Sequence, residues 1–136
     1  MTTDIKESDL AYIAGFIDGE GYIGIDVSRN YYCPCLVITQ RDPDILIWIQ
    51  KMLGEQGSLW HEEGRVWRLK YSSRAFERII EPLLPYLKLK RQQATIAFQV
   101  LGMQSIDAKK EAKKIVTDLK KPGNVNGNLF YRDNRY

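Results

Sequence analysis

The sequence predicts an α+β domain in the order αββαββα, a four-stranded antiparallel sheet with helices packed on one face. Three features carry this. Two pairs of segments alternate apolar with small or polar residues: "YIGIDVS" with "YCPCLVITQ", and "SLWHE" with "VWRLKYS". Segments of helical apolar spacing precede and follow each pair. The turn "EEG" joins the second pair into a hairpin.

The elements follow in order. Ser8 is placed to cap a first helix that runs to about Gly19. "YIGIDVS" and "YCPCLVITQ" are strands one and two. Asp42 and Pro43 form a helix start, cap then first position. That helix carries the apolar stripe Ile45, Trp48, Ile49 and Met52, and Gly54 or Gly57 stops it. After the hairpin, Ser73 is placed to cap a helix with the stripe Phe76, Ile79, Ile80 and Leu83. "KRQQATIAFQVLGM" begins another helix. "AKKEAKKIVTDLKK" keeps Ala108, Ala112, Ile115, Val116 and Leu119 at helical spacing. Its lysines are either the solvated face of that helix or a contact to a polyanion. Residues 121–136 form a turn-rich tail.

The 136 residues suit one domain, with its core over about residues 8–120. Hydrophobic content of 44% and charged content of 27% are globular values. No apolar run reaches about 18 residues, so no membrane span is expected. The start "MTTDIKESDL" lacks a signal-peptide pattern, and an intracellular protein is the expectation. Cys33 and Cys35 share one strand face, but one histidine in the chain leaves a zinc site short of ligands. Free thiols are expected. A net charge of +3 permits a polyanionic partner without demanding one.

Alternation assigns the sheet faces. Ile23, Ile25 and Val27 point into the core, which turns Gly24, Asp26 and Ser28 outward. Leu36 and Ile38 turn Cys33, Cys35 and Val37 outward; Trp67, Leu69 and Tyr71 turn Arg68 and Lys70 outward. Ser58, Trp60 and Glu62 are the outward set of strand three. This mixture of donors, acceptors and apolar groups suits base-edge readout better than a uniformly basic face would.

The first helix poses the sharpest question. "AYIAGFIDGEGYIGI", residues 11–25, ends in Asp18 and Glu20 framed by glycines. At 3.6 residues per turn, Leu10, Ile13, Phe16 and Ile17 share the core face. Ala11, Ala14, Gly15 and Asp18 share the opposite face. Small residues there admit a second helix at close range. The chain holds no second copy, so the expected partner is the same helix of another subunit. A two-fold axis then places two Glu20 carboxylates together, an arrangement that divalent cations stabilise.

"YIAGFIDGEG", residues 12–21, resembles the signature of the LAGLIDADG homing endonucleases, with Gly19 and Glu20 in place of its final Ala-Asp. The resemblance extends to "TQRD" after strand two and to "LPYLKLKRQQA", residues 84–94, and covers about residues 8–105. It implies the LAGLIDADG fold, a sheet saddle on double-stranded DNA, a homodimer of the single-motif type, and Mg²⁺ with Mn²⁺ as a substitute. By position, Glu20 matches the metal-binding acid and Gly19 the residue whose carbonyl assists it. Gln40 matches the residue that places the attacking water, and Lys90 the lysine near the scissile phosphate. Asp18 matches an acid that packs across the helix pair. Asp44 stands near a place where some relatives carry a basic residue; Arg41 is the nearest substitute. The family also contains splicing maturases, so intron RNA is the alternative partner.

The expected duplex surface is the outward set above with the turn "RNYY" (Arg29, Asn30, Tyr31, Tyr32), Arg41 and Arg65. The tail segment "NLFYRDNRY" is a further candidate for flanking contact. Eight strand residues span ~26 Å, and two sheets end to end ~50–60 Å, or ~15–18 base pairs. The implied reaction is metal-dependent hydrolysis of both strands of a long pseudo-palindromic site, leaving staggered ends.

Overall fold

The computed structural model describes residues 5–54 and 56–121. The segment "NLFYRDNRY" lies outside them. The elements are α1 (Glu7–Glu20), β1 (Gly21–Ser28), β2 (Tyr31–Gln40), α2 (Pro43–Met52), β3 (Ser58–Glu62), β4 (Val66–Ser72), α3 (Ser73–Leu83), α4 (Arg91–Gln99) and α5 (Ile106–Leu119). Short 3₁₀ turns cover Leu84–Tyr86 and Val100–Gly102. The strands form one antiparallel sheet in the order β1-β2-β4-β3. This is the predicted α+β architecture.

The core lies between one sheet face and the helices. Ile13, Ala14 and Ile17 of α1 meet Ile23, Ile25, Leu36, Ile38, Leu69 and Tyr71 of the sheet and Phe76, Ile79, Ile80 and Leu83 of α3. The α3 stripe is the one its spacing predicts. Of the predicted α2 stripe only Ile49 is fully buried; Leu46 and the capping residue Leu53 join it in the core, while Ile45, Trp48 and Met52 are half-buried. The helix is rotated by about one residue, which leaves Ile45 and Trp48 half-exposed beside α1.

Local signals explain most boundaries. Asp42 caps α2, its side chain accepting from the Asp44 N–H at 2.9 Å, with Pro43 in the first turn. Ser105 caps α5 by accepting from the Ala108 N–H at 3.0 Å. Two expected caps are absent. α1 begins at Glu7 behind Lys6, with no side-chain cap from Ser8. Ser73 opens α3 at φ 55° and turns its hydroxyl to Tyr31 and Cys33, each 3.0 Å away. The β3–β4 turn has both central residues at positive φ, Glu63 at 50° and Gly64 at 69°, which suits a tight hairpin.

β1 is an edge strand, and two side chains occupy carbonyls on its free side. Gln93 of α4 donates to Ile23 O at 3.4 Å, and Lys113 of α5 to Ile25 O at 2.8 Å. Gln93 is buried, so this bond also settles a polar group in the core. No described helix is long and apolar enough to cross a membrane.

Candidate active site and nucleic-acid interface

Three expected reactive residues converge where α1 ends. Glu20, the last residue of α1, is exposed, and its Oε1 accepts from Gln40 Nε2 of β2 at 3.2 Å. Gly21 then starts β1 with almost no clearance. A Cβ there would lie 2.9 Å from Ile17 O and 3.1 Å from Ile17 Cγ2, so glycine is what lets the chain pass from helix to strand. Lys90 reaches the same helix end, donating through Nζ to Asp18 O at 2.6 Å. A cation at a helix C-terminus meets the negative end of its dipole. Burial still holds the Lys90 ammonium below the ordinary lysine pKa, against the opposing pull of Asp18 and Glu20.

Asp18 lies on the side of α1 that periodicity predicts, but its carboxylate is engaged within the chain, accepting from Lys88 N at 2.8 Å and Lys90 N at 3.0 Å. It therefore fixes the "LKLK" turn that presents Lys90. Ala14 is turned inward and fully buried. The outward side of α1 is Ala11, Gly15 and Gly19, one turn apart, with Tyr12 beside them. Added Cβ atoms at Gly15 and Gly19 would meet nothing within 4 Å. Tyr12 is 53% exposed and packs edge-on against Trp48, ring centroids 5.7 Å apart. Ser8, Asp9, Tyr12, Ile45 and Trp48 line a shallow, mostly apolar hollow there.

Among the described residues, no group of three or more His, Cys, Asp or Glu is placed to hold a metal ion. What the helix end offers is one accessible carboxylate and backbone oxygen. The Ile17 and Asp18 carbonyls are already taken, by Gly21 N–H and Lys90 Nζ. Gly19 supplies the next carbonyl. Such hard oxygen donors fit Mg²⁺ or Mn²⁺ as part of a shared site, not as a complete one.

The outward sheet face carries the predicted mixture, but much of it is internally paired. Arg68 is ion-paired with Glu62 and donates to Thr39 Oγ1 at 3.0 Å. Lys70 donates to Asp26 at 3.2 Å, reaching from β4 across β2 to β1. That bridge roofs Cys35, which is only 1% exposed. Burial first, then the Asp26 carboxylate, push the Cys35 thiol up to about 11, so it is a neutral, free thiol.

Several face assignments need correction. Tyr32 is 6% exposed and belongs to the core, because β2 turns Tyr32, Pro34, Leu36 and Ile38 inward together. Val27 is 40% exposed instead of buried, since residues 26–31 at the hairpin end are all exposed and extend past the helices that cover the core face. Gly24 and Cys35 face outward but are covered by neighbours. Ser28, Arg29, Asn30, Tyr31, Arg41, Ser58, Trp60 and Arg65 are exposed, and Cys33 and Val37 are half-buried.

Tyr22, Thr39 and Lys120 are the outward-face residues that sequence reasoning missed. Alternation locates the first two, since Tyr22 shares parity with Gly24 and Thr39 with Val37. Nothing local marks Lys120, which arrives from α5.

The family model described as LAGLIDADG endonuclease matches residues 13–95. The chain is 33% identical over 100 residues to the DNA endonuclease I-CvuI of Chlorella vulgaris, covering 67% of this chain and 62% of that protein's length. It is also similar to the crystal structure of the homing endonuclease I-CvuI with the I-CreI target in the presence of Mg, where the DNA is not cleaved. That match has TM-score 0.76 and 26% identity over 93% of this chain and 92% of the other. The archaeal intron-encoded homing endonuclease I-Vdi141I, complexed with DNA, shares the fold at TM-score 0.70 and 17% identity, over 93% of this chain and 96% of that one. Signature helix, sheet saddle and the order of elements agree with these matches, and the chain belongs to the LAGLIDADG endonuclease family.

Proposed function

We propose that the chain is a homodimeric, divalent-metal-dependent endonuclease that cuts both strands of a long, nearly palindromic DNA duplex and leaves staggered ends. The observation that carries this reading is the convergence of Glu20, Gln40 and Lys90 at the end of α1, beside a sheet face of mixed donors and acceptors.

Glu20 and the Gly19 carbonyl are the ligands one chain would contribute. A second copy, docked along Ala11, Gly15, Gly19 and the Tyr12 hollow, would bring the matching pair. The chemistry a divalent cation supplies there is charge neutralisation at the phosphate and activation of water. Gln40 acts beside it. One N–H of its amide holds Glu20, leaving a second N–H and a carbonyl oxygen to orient a water; an amide is no general base. Lys90, fixed by Asp18, places positive charge where the phosphate becomes more negative in the transition state. The outward residues of the strands, with the exposed turns 29–31 and 63–65, would read the flanking bases and phosphates. The relative I-CvuI, crystallised with DNA targets, favours this reading over a splicing role on intron RNA.

The test is a cleavage selection on a library of partly palindromic duplexes in Mg²⁺, Mn²⁺ or Ca²⁺, with sequencing of the cut ends. Staggered cuts at a two-fold-related consensus, lost in Glu20→Gln, are expected. Tight duplex binding with no cutting in either Mg²⁺ or Mn²⁺ would overturn the catalytic reading.

A further inference from the structure

Lys113 of α5 and Lys120, the residue that caps α5, both approach β1. Lys113 Nζ bonds the Ile25 carbonyl. Lys120, seven residues on and so on the same helix face, carries its ammonium to 3.8 Å from the centroid of the Tyr22 ring. Tyr22 itself lies along the outward face of β1. A Cβ on Gly24 would sit 2.4 Å from Tyr22 Oη and 2.8 Å from Lys120 Nζ. The absent side chain at 24 is thus the space that ring and ammonium occupy.

Among the described residues, the cations carried by the strands' outward face are otherwise engaged. Lys70 is paired with Asp26, and Arg68 with Glu62. Lys113 is committed to a backbone carbonyl. Lys120 rests on a π face, a contact that leaves its N–H donors largely unspent. It also stands at the sheet's rim, beside the edge strand, where a duplex lying on the face presents backbone more than base edges.

We propose that Lys120 is a DNA-backbone contact brought onto the reading face from outside the sheet, its ammonium steadied by Tyr22 and directed to a phosphate of the strand passing the β1 edge. The proposal rests on the outward sheet face being the duplex surface. Gly24 then serves binding through its emptiness, and α5 is part of the interface rather than a prop behind it.

The salt dependence of duplex binding tests this without knowledge of the target. Full-length protein is titrated onto a mixed-sequence duplex in Ca²⁺ by fluorescence anisotropy over a range of KCl, with thermal melts as a folding control. Each lost phosphate contact lowers the slope of log K against log salt by about 0.9. Lys120→Met should lower it by about that much per chain, and Lys120→Arg should restore it. Lys110→Met, on the exposed side of α5, should change nothing. Lys120→Gln serves as a second neutral variant should the methionine disturb the fold. An unchanged slope in Lys120→Met while Arg41→Gln, which removes an exposed cation just past the end of β2, lowers it would overturn the Lys120 contact alone. Unchanged slopes in both would overturn the sheet face as duplex surface, and the proposal with it.

Discussion

Gln40 Nε2 donates to Glu20 Oε1 across 3.2 Å, tying the last residue of β2 to the last residue of α1. The bond joins a central strand of the sheet to the helix end that carries the candidate metal acid. Removing charge from Glu20 while keeping its shape isolates the chemistry from the fold. Glu20→Gln should lose cleavage by several orders of magnitude and keep duplex affinity within about threefold. Single-turnover cleavage and anisotropy on the same preparation check this; residual cutting near the wild-type rate would reject Glu20 as the metal acid.

Lys90 gives a prediction in pH. Burial lowers its pKa, so it loses its proton earlier on the alkaline side than a solvent lysine does. Activity that needs the ammonium should fall as pH rises through that lowered value. Lys90→Arg stays charged and should shift the limb to higher pH or remove it. Stability moves the other way. Between the folded and unfolded pKa values the unfolded chain binds more protons, so this group's contribution to stability rises with pH. Parallel pH profiles of cleavage and melting separate the two, and an identical alkaline limb in wild type and Lys90→Arg would exclude Lys90.

Gly15 is exposed, and a Cβ there meets nothing within its own chain. A larger residue should leave the monomer intact and even favour α1, since glycine costs about 1 kcal/mol of helix propensity. Gly15→Leu should therefore keep its melting temperature as a monomer while losing self-association and cleavage. Sedimentation velocity decides it; a dimer of unchanged affinity would place the interface elsewhere.

Arg68 is held by Glu62 and Thr39 on the outward face. Releasing it should trade discrimination for affinity. Glu62→Gln should bind mixed-sequence DNA more tightly and with a steeper salt slope, because a freed guanidinium can take a phosphate. Competition between random duplexes at two salt concentrations reads this. A weaker or unchanged affinity would mean that Arg68 stays with Thr39.

The Tyr71 hydroxyl is buried and finds no partner among the described residues. Burial alone drives its pKa up. An unsatisfied buried hydroxyl is a cost that phenylalanine avoids, so Tyr71→Phe should stabilise the fold by about 1 kcal/mol. Denaturant titration checks it, and destabilisation would point to a partner such as a buried water.

Much of this was legible in the chain. Alternation along β1, β2 and β4 fixed the sheet faces, and Asp42-Pro43 fixed the start of α2, because both signals act between near neighbours. The convergence of Glu20, Gln40 and Lys90 came from the resemblance, since no local pattern links residues that far apart. Ala14 is buried against expectation, and the Asp18 carboxylate is engaged within its own chain, for a related reason. Helix periodicity describes a cylinder but not what packs around it, and the 88–90 turn and α3 both press on α1 from sides the sequence does not announce. Tyr32 was grouped with its turn although its own parity placed it inward. Lys120 is one of several lysines over residues 108–121 that the sequence offers as a polyanion contact, and only the path of α5 along β1 singles it out by bringing it to Tyr22.

The bonds from Gln93 and Lys113 to the free side of β1 have a consequence for assembly. An unprotected edge strand is a template on which another sheet can grow. Here the Ile23 and Ile25 carbonyls, the acceptors such growth would use, are already engaged. At the opposite margin β3 offers a strand of only five residues. Copies of this chain are thereby discouraged from joining sheet to sheet into a continuous ribbon, which fits the helix-mediated pair proposed above.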